Sequence, residues 1–302
     1  MERVAMADLT GAAFVQQLRV RETAALRFEA ARSGVLSWNT HAPNGRLEFR
    51  LVRAGHADGD WLPLAEWRPS GAKSFSPQHA GTRVDVDVIR AAQPFDGIEV
   101  RAQSVEFDLV AFSSPVHATP SLPYARDALI LGVPAHSQYS TESEERGWCS
   151  PASLEMIHAY HGLPHSIAQT AREVFDRAYN GTGNWGFNVA YSGRLGLRGV
   201  VAHLANLDQA QRLLERGLPL AISYSWRDDE LPGAPLPTSD GHLVVLCGFT
   251  GDGDCAVNDP AARNVRVVYP RSAIETLWQR NEGVAYVIAP VGIDYADVLA
   301  RA

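Results

Sequence analysis

The feature that most constrains the fold is an alternation of apolar and polar residues in the first part of the chain. The segments Arg46–Val52 and Thr82–Ile89 show it most clearly. A period of two is typical of strands that bury one face of a sheet. Asn44-Gly45 and Asp96-Gly97 are turn signals between such strands. The stretch from about Gly34 to Ser114 therefore predicts a β-sandwich.

A change in composition separates this region from the rest of the chain. The segment Phe112–Pro123 contains three prolines and three serines, which is typical of a linker. A length of 302 residues suits two domains. We therefore predict an N-terminal accessory domain over residues 1–122 and a second domain over 123–302. Val15–Ala31, near the start, is compatible with a strand or a short helix.

The second region mixes helix and strand signals, so the predicted class is α+β. Ser150 can cap a helix that has Pro151 at its first position. Ser166 with Gln169, and Ser272 with Glu275, resemble capping boxes. The predicted helices are 151–161, 166 to about 180, 208–216 and a last one from 272, and the predicted strands are 197–204, 220–226, 243–249, 255–258 and 284–289.

Charge and hydropathy exclude several classes of protein. The net charge is −7, with 13 basic and 14 acidic residues up to residue 125 and 14 and 20 after it. An acidic second half argues against a nucleic-acid partner. No apolar run reaches the roughly 18 residues of a membrane span, and the first residues lack a signal-peptide pattern. We therefore expect no membrane partner and a cytoplasmic protein, with secretion as the alternative.

Cys149 is the first candidate for chemistry. Three cysteines are too few for a disulfide framework, so each is considered as a free thiol. Cys149 stands just before a helix that is apolar nearly all round. A helix N-terminus favours the thiolate, which is the nucleophilic form of cysteine. The alternative is a small buried core residue.

His242 and Asp259 are the next candidates. His242 opens an apolar strand after a long loop, where an imidazole can face a cleft as a general base. A hairpin brings Asp259 back toward His242, provided that a bulge or loose loop corrects the register. The carboxylate would then hold the imidazole by its second nitrogen. Taken singly, His242 also fits a surface position and Asp259-Pro260 an ordinary turn.

These elements together resemble a known family. Gln138, Cys149-Ser-Pro-Ala-Ser153, Gly241-His-Leu-Val-Val245 and Asp259-Pro260-Ala261 occur in the order of the C39-like branch of papain-fold cysteine peptidases. The resemblance covers about residues 130–290. It implies a papain-like fold with a Cys149–His242–Asp259 triad and Gln138 in the oxyanion hole.

This chain departs from that family's pattern at two places. Ser150-Pro151 replaces the glycine usual after the nucleophile. Gln138 lies 11 residues before Cys149, with the acidic stretch Glu142–Glu145 between them. Gln138 has an alternative role as a capping residue of the preceding turn.

The resulting prediction is a cysteine peptidase or amide hydrolase that takes a peptide or protein substrate and uses no cofactor. The alternatives are a non-catalytic binding module on a peptidase-like scaffold and an acyl transferase. Trp148, Trp185 and Trp226 are candidate groove walls, with core packing as the other possibility. The N-terminal domain has a carbohydrate or a protein as its possible ligand. His158, His161 and His165 lack an acidic or cysteine partner nearby, so no metal site is predicted.

Overall fold

Two antiparallel sheets of seven strands organise the fold. The computed structural model describes residues 14–124, 126–139 and 147–300. Within these residues, one sheet precedes residue 122, and the other sheet and every helix follow it. The fold is therefore a mixture of α and β structure with helices confined to the second region, in line with the sequence prediction.

The first sheet has the strand order β4-β3-β2-β7-β6-β5, and β1 also pairs with β7. Buried positions alternate with more exposed ones along β2, β4 and β6, as the period of two predicts. The strands are β1 (Phe14–Asn39), β2 (Gly45–Arg53), β3 (His56–Arg68), β4 (Gly71–Ser74), β5 (Gln78–His79), β6 (Thr82–Asp85) and β7 (Val88–Ser113).

The predicted β-sandwich is not confirmed, because all seven strands belong to one hydrogen-bonded sheet. Its two longest strands, β1 and β7, have 26 residues each, and their pairing shifts register at several points. Bulges of this kind bend strands. Val15 near one end of β1 and Leu36 near the other both lie opposite Phe112. The sheet therefore curls back on itself instead of separating into two layers.

Two local predictions in this region are wrong. Asp96-Gly97 lies inside β7 and not in a turn. Thr82–Ile89 is not one strand, since a hairpin turn at Val86-Asp87 separates β6 from β7. A two-residue turn preserves the period of two, so the alternation runs on through it. Val15–Ala31, which the sequence left open as a strand or a short helix, is part of strand β1.

The second sheet has the order β13-β12-β11-β10-β14-β9, with β8 paired to β11. Its central strands are buried on both faces, so they carry continuous apolar runs. The sequence predicted most of them and missed the short β8 and β13. The strands are β8 (Leu129–Ile130), β9 (Leu197–His203), β10 (Leu220–Trp226), β11 (Ser239–Phe249), β12 (Cys255–Asn258), β13 (Arg266–Tyr269) and β14 (Val284–Pro290).

The helices pack around the second sheet. The sequence analysis missed two of them, at residues 185–194 and 296–299. Gly181–Gly186 resembles a flexible connector, but the Asn184 side chain accepts the Phe187 N–H and caps a helix there. No helix in the described ranges is long and apolar enough to cross a bilayer. The helices are α1 (Cys149–Tyr160), α2 (Ile167–Val174), α3 (Trp185–Arg194), α4 (Leu207–Leu214), α5 (Arg271–Arg280) and α6 (Ala296–Leu299).

Buried polar contacts join the two regions. The Asn39 side chain accepts the Gly199 N–H at 2.9 Å and donates to the Gly199 carbonyl at 2.9 Å. The Ser37 hydroxyl accepts the Val201 N–H at 2.8 Å, and Ser113 contacts His203 at 3.0 Å. The end of β1 thus hydrogen-bonds to β9 through side chains. The domain boundary near residue 122 stays a prediction.

Candidate active site

Cys149 is the first residue of α1, a helix whose residues from Ser150 to His158 are all buried. The serines after it have structural partners. The Ser150 hydroxyl donates to Asn188 Oδ1 of α3 at 3.1 Å, and the Ser153 hydroxyl donates to the Leu243 carbonyl of β11 at 3.1 Å. These bonds fix the first turn of α1, so the serine that replaces the usual glycine has a defined position between two helices.

His242 and Asp259 meet across the β11–β12 hairpin. The register shifts between Leu246 and Gly248, which is the bulge that the sequence required. His242 Nε2 donates to Asp259 Oδ1 at 2.7 Å, and both side chains are almost completely buried. With Nε2 held by Asp259, Nδ1 is the ring nitrogen left for another partner.

The Asp259 carboxylate has further donors that sequence reasoning missed. The Tyr269 hydroxyl donates to Oδ2 at 2.8 Å, and the Ala261 N–H donates to Oδ1 at 2.9 Å. Tyr269 comes from β13, a strand that the sequence analysis did not identify. The short run of β-branched and aromatic residues after Arg266, Val267-Val268-Tyr269, was the available signal.

Electrostatics favour a charged pair of Cys149 and His242. Desolvation raises the pKa of the Cys149 thiol, but hydrogen bonding and charge from His242 more than offset it, so the pKa is lowered. The N–H groups of Leu243 and Ser150 lower it further. Burial lowers the pKa of His242, yet hydrogen bonds to Asp259 and Cys149 raise it above its usual value. The arrangement favours thiolate and imidazolium together.

The charge of Asp259 is stabilised in the same way. Burial raises the pKa of this carboxyl, whereas the hydrogen bond and charge of His242 and the Tyr269 hydroxyl lower it, and the net effect is a lowered pKa. An ionised Asp259 holds the imidazolium and fixes its orientation.

Gln138 lies on the segment that leads toward α1. Its side chain is buried, and its backbone N–H donates to the Pro260 carbonyl at 2.9 Å, next to Asp259. The Ser137 hydroxyl contacts the same carbonyl at 3.3 Å. Gln138 is thereby anchored beside the Asp259 turn. The acidic stretch Glu142–Glu145 lies outside the described residues.

The three candidate tryptophans occupy different positions. Trp148 and Trp185 are half-buried and line the cleft that contains Cys149. Trp226 is buried, donates to the Leu236 carbonyl at 3.0 Å and packs edge-on against the His242 ring, with centroids 5.5 Å apart. Trp226 therefore covers the imidazole and does not reach the cleft.

The cleft at Cys149 has a volume of about 1610 Å³ and walls from both sheets. Trp148, Cys149 and the start of α3 form one side. The first sheet contributes Trp67 and the β6–β7 turn, residues 85–88. An open cleft of this size accommodates an extended chain.

The other sequence candidates are accounted for by local contacts. His158 Nε2 lies 2.9 Å from the Ser192 hydroxyl, and His161 Nε2 lies 3.2 Å from the Ile288 carbonyl. Within the described part of the chain, no group of three or more His, Cys, Asp or Glu side chains is placed to hold a metal ion. Cys247 and Cys255 are buried free thiols, and burial raises the pKa of each.

Comparison with solved structures found several similar chains, and peptidases are among them. A protein described as a C39-like peptidase from Bacillus anthracis is 19% identical, with TM-score 0.43, and the match covers 54% of this chain and 98% of that one. A double glycine motif protease from an AMS/PCAT transporter, solved with its leader peptide, is 18% identical, with TM-score 0.37 and coverages of 56% and 98%. The peptidase domain of Streptococcus ComA is 16% identical, with TM-score 0.39 and coverages of 52% and 98%.

A search of curated proteins found no match. A family model, described as the Peptidase_C39 like family, matches residues 130–286. This range contains Gln138, Cys149, His242 and Asp259 and is more than half of the 302 residues. The protein therefore belongs to the C39-like peptidase family.

Proposed function

We propose that the protein is a cysteine peptidase in which Cys149, His242 and Asp259 act as a triad on a peptide or related amide. The observation that carries this proposal is the buried hydrogen-bonded chain of His242, Asp259 and Tyr269, beside a Cys149 thiol whose pKa His242 lowers. A nucleophile, a base and a group that orients the base are the parts that acyl transfer through cysteine requires.

The reaction proceeds through an acyl-enzyme. The Cys149 thiolate attacks the carbonyl carbon of the scissile amide while its proton resides on His242. His242 then protonates the leaving nitrogen as the C–N bond breaks, and a thioester remains on Cys149. His242 removes a proton from water, which attacks the thioester. The carboxylic acid and the Cys149 thiolate are released, and the proton stays on His242, as in the starting pair. Asp259 keeps the imidazole oriented in both steps.

The negative charge that develops on the carbonyl oxygen needs donors. The backbone N–H of Cys149, at the start of α1, is one, and the Gln138 side chain is the other in this proposal. Support for Gln138 comes from its burial and its anchoring to Pro260 beside the triad. A substitution Gln138→Ala should therefore lower kcat by about 100-fold, the usual loss for one oxyanion donor.

The alkylation rate of each cysteine by iodoacetamide, measured against pH by mass spectrometry, tests the proposal. Cys149 should react rapidly well below the pH at which a free thiol ionises, because its pKa is lowered. Its rate should fall only as the pH drops through that lowered pKa. Cys247 and Cys255 are internal controls, since burial raises their pKa values.

The variant Cys149→Ala should lose both the fast alkylation and any peptide hydrolysis. A wild-type Cys149 that reacts as slowly as Cys247 would contradict the proposal and favour a binding module. The products formed in the presence of an added amine distinguish hydrolysis from acyl transfer. A hydrolase should release the free carboxylic acid and form no product that contains the amine.

A further inference from the structure

The β6–β7 turn brings a carboxylate of the first sheet into the cleft that contains Cys149. Val86 adopts a positive φ of 61°, and Asp87 follows it. Both residues line the cleft together with Trp148 and Cys149. A residue more than 60 positions before the nucleophile thus contributes to the wall that a substrate would contact.

The first turn of α3 connects Asp87 to the neighbourhood of the nucleophile. The Trp185 N–H, at the start of α3, donates to the Asp87 carboxylate. Asn188, three residues later, accepts the hydroxyl of Ser150, which adjoins Cys149. Three residues of helix span about 4.5 Å along the axis. Asp87 and the start of α1 therefore contact the same helical turn.

Asp87 lacks the cationic partner that its neighbours along the cleft have. Among the described residues, neither Asp87 nor Arg172 on the exposed side of α2 takes part in an ion pair. The other charged residues lining the cleft are paired, as Arg68–Glu66, Asp85–Arg83, Asp85–Arg90, Arg194–Glu173 and Arg227–Asp240.

The surroundings of Asp87 leave its charge poorly compensated. Desolvation raises the pKa of this carboxyl to about 7, and the nearby Asp176 acts in the same direction. The N–H groups of Trp185 and Gly186 lower it only in part. A bound cation would supply the missing stabilisation.

We propose that Asp87 is a specificity-determining residue, and that it binds an alkylammonium group of the substrate close to the scissile bond. This inference rests on the proposed peptidase function. The group is either a free N-terminal amine or a lysine side chain, since both present the same chemistry to a carboxylate. The first sheet then takes part in substrate selection through a single turn.

Asp87 contributes to the capping of α3, since its carboxylate accepts the Trp185 N–H, but a neutral oxygen acceptor can fill that role. The side chain of Asn184 already caps this helix by accepting the Phe187 N–H at 3.1 Å. An asparagine at position 87 would retain one oxygen for the Trp185 N–H and lose the charge and the second carboxylate oxygen. The substitution Asp87→Asn therefore separates recognition of a cation from support of the helix.

The test uses short peptides that carry a thiol-reactive vinyl sulfone and measures their rate of attachment to Cys149 in the full-length protein. Lysine is placed at either of the two residue positions before the electrophile. Each such probe is paired with a probe that has norleucine at the same position and is otherwise identical. Each free N-terminus is matched with an acetylated one. The wild-type protein should react about tenfold or more faster with one cationic probe than with its neutral partner, the size of a charge-assisted hydrogen bond.

In Asp87→Asn this preference should fall to within about twofold, with the iodoacetamide rate at Cys149 unchanged. Asp85→Asn is the matched control, because Asp85 lines the same cleft but already pairs with Arg83 and Arg90. It should keep the preference. Two results would overturn this inference and leave the proposed function intact. In the first, Cys149 reacts rapidly with iodoacetamide, but the cationic and neutral probes of each pair react at equal rates. In the second, the preference for the cationic probe persists in Asp87→Asn. Slow iodoacetamide reaction overturns the proposed function and this inference with it.

Discussion

The two sheets contain ion pairs of the same length in opposite environments. On the first sheet, Arg21 and Glu106 lie 2.7 Å apart across β1 and β7, with 79% and 73% of their side chains exposed. At the end of the second sheet, His242 and Asp259 also lie 2.7 Å apart, with exposures of 4% and 0%. Distance alone therefore does not distinguish the two pairs.

Burial decides what each pair can do. Water and salt screen the exposed pair, so it contributes little to stability or reactivity. The buried pair is screened far less, and removal of one partner leaves an uncompensated charge. In the proposed triad, the same property would let Asp259 hold the proton on His242. Reactivity is thus expected where polar groups are both buried and connected.

The largest effect should come from breaking the buried pair. Asp259→Asn replaces the charge that stabilises the imidazolium with a neutral amide, so kcat/KM for peptide hydrolysis should fall by about 100-fold or more. The alkylation rate of Cys149 near neutral pH should fall with it. Unchanged activity in this variant would show that His242 works without Asp259.

The same variant should change how stability depends on pH. The folded pKa of Asp259 is lowered, so its contribution is present above the unfolded pKa of about 3.9 and is lost as pH falls through the folded value. The folded pKa of His242 is raised, so its contribution is present below about 6.5 and is lost as pH rises through the folded value. Urea unfolding across pH 3 to 9 should therefore show a flatter profile for Asp259→Asn.

The second-largest effect should come from breaking the contact between the two regions. Asn39→Ala removes the side chain that bonds both backbone groups of Gly199, and it leaves a buried donor and acceptor unpaired. The free energy of unfolding should fall by about 3 kcal/mol, measured by urea denaturation. Loss of the first sheet alone, with an intact second transition, would indicate that the regions unfold independently.

A smaller effect is expected from Tyr269→Phe, which keeps the ring and deletes one donor to Asp259. Stability should fall by about 1 kcal/mol and kcat/KM by about tenfold or less. The pH profile of Cys149 alkylation should move toward higher pH, because a less stabilised Asp259 supports the imidazolium less. A purely structural role would lower stability and leave that profile in place.

The smallest effect should come from Glu106→Gln on the first sheet. The partner Arg21 is solvated, so the urea midpoint and the alkylation rate of Cys149 should match the wild-type protein within error. A clear loss of activity here would mean that the exposed face of the first sheet supports the site. The contrast between the two ion pairs would then fail.

Local sequence patterns predicted the elements that local physics controls. The alternation around Arg46–Val52 predicted strand and Ser166 predicted a helix start, because capping and periodicity act within a few residues. The predicted Ser150 cap is wrong, since Ser150 lies inside α1 and its hydroxyl donates to Asn188. The missed helix α3 shows the limit, since its Asn184 cap follows two glycines that resemble a loop. Motifs in a fixed chain order made Cys149, His242 and Asp259 the candidates, and their role as a triad stays a prediction.

What the tertiary structure decided depends on register and on contacts distant in sequence. The bulges in β1 and β7 accompany one curled sheet, and the predicted sandwich is not confirmed. The Val86-Asp87 turn could not be recognised from the sequence, because the alternation of apolar and polar residues continues through it. Tyr269 reaches Asp259, and Asp87 reaches the cleft, only through strand pairing and helix packing. By itself the sequence determined which residue types are available and where most of the helices and strands lie. The pairing of strands determined which of those side chains share a site, because hydrogen bonds and burial between remote segments leave no local pattern.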